Sequence, residues 1–126
     1  MKRFLLGVAI LGVFLGLGLW TGYAMEQLHV DISQTLEQAA AQVLDGQTEQ
    51  GVSLARQAHT QWQDNWHMTA FLADHAPMDE IDALFAQALF YADTGNAEDF
   101  ASHCTRLSML VEAVGEAHAL SWWNLL

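Results

Sequence analysis

Apolar residues along this chain fall into two regimes, and the boundary between them lies near residue 25. From Phe4 to Met25 the sequence carries no charge and no polar face. Twenty-two residues of helix rise about 33 Å, which matches a hydrocarbon core of about 30 Å. Beyond Glu26 the apolar residues become periodic. Leu28, Ile32, Leu36, Ala39 and Val43 recur at steps of four and three, so the first helix runs on to Leu44 with one apolar stripe. Asp45-Gly46 ends it, with Gly46 suited to the left-handed position after a helix.

A second helix is predicted from Thr48, as N-cap, to about His75. Its seam is Val52, Ala55, His59, Trp62, Trp66, Thr69 and Ala73. Pro77 either stops that helix or opens the next, because proline is accepted in a first turn and not in mid-helix. A third helix covers about Met78 to Thr94, burying Ile81, Leu84, Phe85, Ala88 and Leu89. Asp79, Glu80 and Asp82 meet the positive end of its dipole. Gly95 closes it, and Asn96 to Asp99 resembles a capping box opening a fourth helix to about Asn124. The stripe of that helix is Phe100, Cys104, Leu107, Val111, Val114, His118 and Trp122. Short connections make neighbours antiparallel. The expected fold is all-α: an N-terminal transmembrane helix in residues 1–25, then an antiparallel bundle of two helical hairpins in 26–126. Nothing alternates long enough to read as a strand.

Charge sets the orientation and removes some function classes. The chain carries −11; Lys2 and Arg3 hold two of its four basic side chains, so the remainder carries −13. Such a domain repels phosphates, which argues against nucleic acid and anionic lipid surfaces as partners and leaves cations or a basic protein face. Lys2-Arg3 stays on the cytoplasmic side and places the acidic remainder outside, with Trp20 and Tyr23 at the far interface. The alternative is a secreted domain, cleaved after Ala24, where Gly22-Tyr23-Ala24 supplies small residues at −3 and −1; the apolar run to Trp20 is longer than a usual signal core. Gly12/Gly16 and Gly18/Gly22 have the spacing that lets two membrane helices approach, so a homodimer through these glycines is one expected association. The single cysteine rules out a disulfide within the chain.

Candidate chemistry is sparse. Asp64/His67 and Asp99/His103 have helical ligand spacing. His75, Asp79 and Glu80 can converge across Pro77, which makes them the favoured metal candidates, although each pair supplies only two ligands and no His-Glu-x-x-His or paired-Cys motif is present. The simpler reading has His75 capping the second helix and bonding to those acids. His59 and His118 lie on apolar stripes and read as core histidines; facing each other, they would loosen the bundle when protonated below about pH 6. Cys104, on an apolar stripe and diverging from His103, reads as a buried inert thiol. Trp62 and Trp66 read as packing residues. Trp122 and Trp123 diverge by about 100° and cannot share one core, so one of them, with Leu125 and Leu126, is the candidate partner-binding surface. No catalytic constellation and no cofactor motif is present, and a non-enzymatic protein is expected.

With Trp62 and Trp66, a His75 to Asp79 to Ile81 stretch, and the Asn124-Leu125-Leu126 ending in place, the chain resembles the DUF4363 family, an uncharacterised bacterial group. It departs from the family pattern at Pro77 and at Trp122-Trp123. The resemblance implies a membrane segment followed by helices, assigns no activity, and adds interest to His75, Asp79 and Asn124. The leading expectation is an interaction or accessory module of the cell envelope with a membrane or envelope protein partner. A ligand or metal sensor with its site near His75 is the alternative.

Overall fold

A computed structural model describes the backbone of residues 1–72 and 75–125 and the side chains of 1–71 and 75–117. Five helices follow in order: α1 Lys2–Leu44, α2 Thr48–Asp64, α3 Trp66–Leu72, α4 His75–Thr94 and α5 Ala97–Leu125. No strand occurs among the described residues. The all-α fold of two packed helical hairpins is therefore the one the periodicity predicts.

α1 is continuous for 43 residues, about 65 Å. Its first half stands clear of the bundle and is exposed, long and apolar enough to cross a membrane. Its second half buries Met25, His29, Ile32, Ser33, Leu36, Ala39, Ala40 and Val43. The change needs no break in the backbone. It needs only that polar residues appear on one side after Glu26 and leave the other side apolar.

Antiparallel pairings fix the arrangement. Gly51 of α2 lies against Ala39 and Val43 of α1, so close that a Cβ on it would sit 2.7 Å from the Ala39 carbonyl oxygen. Further along, the Trp62 ring meets the His29 ring edge-on at 6.1 Å. α5 returns along α1, where a Cβ on Gly115 would sit 2.8 Å from His29 Cβ. Beside it Ser33 donates to Ser108 at 2.8 Å and Ser108 donates to Glu37 at 3.1 Å. This polar step inside an apolar interface fixes the register, because sliding it leaves buried hydroxyls unpaired. Arg106–Glu80 and the contact of His103 with Gln87 tie α5 to α4. Arg56–Asp93 and His59–Phe85 tie α2 to α4. The core between them includes Leu36, Trp62, Phe85, Phe100 and Leu107.

Both turns at the end far from the N-terminus are built alike. At the end of α1, Gly46 N–H donates to Val43 O and Gln47 N–H to Gln42 O; at the end of α4, Gly95 N–H donates to Ala92 O and Asn96 N–H to Tyr91 O. These are Schellman closures, and they place Gly46 at φ 86° and Gly95 at φ 74°, where a Cβ is disfavoured. Asn96 then caps α5 by accepting the Asp99 N–H at 3.2 Å, and its own side-chain amide donates to the Asp99 carboxylate.

Three boundaries differ from expectation. Thr48 is the first helical residue and not the cap; Gln47 occupies the cap without a side-chain bond, and its backbone N–H closes α1. The expected helix to His75 is broken at Asn65. The Asn65 side-chain amide donates to the Gln61 carbonyl at 2.9 Å, taking the acceptor that its own backbone N–H would use in an unbroken helix. α4 begins at His75 and not at Met78, with Pro77 in its first turn.

Candidate functional site

The densest polar contact between described helices lies where α2 breaks. Trp62 closes α2 and is 1% exposed, and Trp66 opens α3 half-buried. An indole N–H taken out of water needs an acceptor. Both find the same one: Trp62 Nε1 donates to Asp82 Oδ1 at 2.7 Å, and Trp66 Nε1 donates to Asp82 Oδ2 at 3.0 Å. Asp82, on α4, thereby holds the two helical pieces on either side of the break. His59 lies one turn back on α2, 4.9 Å from the Phe85 ring. Burial lowers its pKa from the ordinary value, the negative charge of Asp82 opposes that shift, and Arg56 adds to it. A shallow groove beside these groups is lined by His59, Gln63, Trp66, His67, Asp82 and Ala86.

The chemistry of this arrangement is structural. Each carboxylate oxygen receives one indole donor, so Asp82 serves as a shared acceptor joining α2, α3 and α4. Helical spacing alone puts Trp62 and Trp66 on a packing seam and Asp82 against the dipole of its own helix. The signal for their pairing was present in the two buried N–H groups at i and i+4, which require an acceptor from another element.

Other expected sites are arranged differently. His75, Asp79 and Glu80 are all exposed. Glu80 turns to α5, where Arg106 donates to it at 2.7 Å. His75 is the first residue of α4 as described, and the two residues before it lie outside the described residues. Among the described residues no three His, Cys, Asp or Glu side chains gather in a way that could hold a metal ion. His103 reaches the Asp99 carbonyl oxygen at 2.8 Å and Gln87 at 3.1 Å, while the Asp99 carboxylate is engaged by Asn96. Asp64 and His67 are exposed. Cys104 is buried, and burial pushes its thiol up to about 12. His59 meets Phe85 and Asp82; its expected partner His118 lies outside the described side chains, as do Trp122, Trp123 and Leu125, and Leu126 lies outside the described residues. Gly12 and Gly16 face open space, whereas Gly18 and Gly22 are half-buried on the side that leads to Met25.

One histidine escaped the sequence reading. His29 is 2% exposed, its Nδ1–H donates to the Met25 carbonyl at 2.6 Å, and its ring fills the space that Gly115 leaves. It lies one residue after Leu28 on the expected stripe, so the true buried face is rotated toward α5.

The family model for DUF4363, a domain of unknown function, matches residues 19–125. The chain belongs to the DUF4363 family. The match spans the C-terminal end of the apolar segment and the bundle, so the paired tryptophans, Asp82 and His29 all lie within the DUF4363 domain. No curated protein and no solved structure matches the chain significantly.

Proposed function

We propose that this DUF4363 protein is a non-enzymatic accessory protein of the cell envelope, anchored by α1 with its bundle outside the cytoplasm and acting through contact with another envelope protein. The observation that carries this reading is the continuity of α1. The same helix that exposes an apolar segment of spanning length also supplies a core face from Met25 to Val43. Anchor and bundle are then one lever, and the bundle is presented at a fixed height and tilt above the bilayer. Lys2 and Arg3 keep the short end inside. Two of the groups with chemical potential are engaged in packing and pairing: Cys104 is buried with its thiol pushed up to about 12, and Asp82 is engaged by two indoles. The acidic bundle surface favours a partner with a basic face, steered over distances that salt screens.

Affinity capture of the tagged full-length protein from crosslinked host membranes tests this, beside a Trp122→Ala/Trp123→Ala variant. A specific envelope protein held by the native chain, and released by salt or by the double substitution, is expected. Capture of no partner by either chain would overturn the reading. Intact mass of the membrane-extracted protein tests the anchor: loss of residues 1–24 would convert it to a secreted domain.

A further inference from the structure

α2 descends α1 one residue for one residue, from Gly51 beside Ala39 and Val43 to Trp62 beside His29. Asn65 leaves the helical region at φ −106°, ψ 6°, and Trp66 at the start of α3 reaches Asp82 on α4. α3 begins four residues beyond Trp62, and His29 opposite Trp62 lies four residues from Met25, where the uncharged run of α1 ends. A span of about 20 residues that starts at Phe4 ends at about residue 23. α3 therefore starts within about one helical turn of the level at which such a span ends.

Its exposed side chains suit that place. Phe71 is 87% exposed, more than Phe4 at 75%, which is the most exposed large apolar residue of the span after Met1. Met68 is exposed beside it, and α3 itself holds no Asp, Glu, Lys or Arg. Near the end of the apolar half, α1 exposes Trp20 and Tyr23. Four apolar or aromatic side chains from two helices thus stand exposed around the end of the bundle from which the apolar half of α1 emerges, in a domain whose remaining surface is strongly acidic.

We propose that α3 is a second membrane contact, with Met68 and Phe71 seated in the outer lipid interface beside the span. This rests on the anchored reading of α1. The occupant is lipid and not protein, because the patch lies at the end of the bundle next to the span and its aromatic residues match the composition of an interfacial belt. It fixes the tilt of the bundle at a second point.

Nitroxide labels on the full chain in phosphatidylcholine vesicles test it, in a Cys104→Ala background. Labels go at Phe71→Cys and Met68→Cys, with Ile10→Cys as the lipid reference and Phe90→Cys, on the far half of α4, as the aqueous reference. Accessibility to oxygen is compared with that to a water-soluble nickel chelate. Positions 68 and 71 should show an oxygen-to-nickel ratio several-fold above that at position 90 and below that at position 10. A ratio at 68 and 71 equal to that at 90, with position 10 in lipid, overturns the second contact and leaves the anchor standing. An aqueous reading at position 10 overturns both. Shielding of 68 and 71 from both reagents shows that protein covers α3, and also overturns the lipid assignment.

Discussion

At the far end of the bundle α1 and α4 each stop on a glycine at positive φ, and the chain reverses within two or three residues. At the near end the reversal is spread over the break at Asn65, the seven residues of α3 and the start of α4. The far end is held by backbone hydrogen bonds that any sequence with the right glycine can make. Among the described residues the near end is tied by side chains, two indoles on one aspartate, and it leaves Phe71 in the open. A turn closed by backbone is self-sufficient. A carboxylate shared by two indoles depends on side chains from three helices, and the exposed apolar side chains beside it call for an environment outside the bundle.

Substitutions can break this comparison. The largest effect is expected from Trp62→Ala, which removes a buried ring and one donor to Asp82 and should cost about 3–5 kcal/mol. Chemical unfolding of the full chain in detergent, followed by circular dichroism, measures it. A loss below about 1 kcal/mol would mean that α2 is held from the far end alone. Gly51→Ala probes that far end: the new Cβ meets the backbone of Ala39 and Val43, which cannot swing aside, so about 2–3 kcal/mol of overpacking is expected in the same assay.

Asp82→Asn sharpens the contrast, because it keeps the shape and one acceptor but turns an amide N–H2 toward the other indole. A loss of about 1–2 kcal/mol and a red shift of tryptophan emission are expected, with no effect on the far turns. The smallest effect concerns His59. Its folded-state pKa lies below the ordinary 6.5, so the unfolded chain binds the proton more readily. Stability should therefore be constant above that value, decline as pH falls through it, and level off below the folded value. His59→Gln should flatten that part of the profile while the contribution of the carboxylates remains.

Much of this was legible in the residues. The helix ends at Gly46 and Gly95 were readable because a positive φ has a residue signature. Apolar spacing of three and four made readable most of the seam of α1, that of α4 from Ile81 to Ala88 and that of α5 from Phe100 to Val114, while at His29 the buried face of α1 is turned from the expected stripe. The break at Asn65 was not, since Asn is tolerated within helices and only its bond to Gln61 marks the interruption. Nor was the partner of Glu80 readable from spacing, because its pairing with Arg106 joins residues 26 positions apart.

The sequence by itself determined the helical class, the long apolar N-terminal segment, the acidic surface and the far turns, all of which follow from local periodicity, charge and backbone preference. Tertiary structure alone decided which polar groups meet: Asp82 with Trp62 and Trp66, Ser33 with Ser108, His29 with the gap at Gly115. A helix fixes the angle of each side chain around its own axis. Which neighbour that side chain meets depends on the rotation and register of a second helix, and those are set by the packing of the whole core.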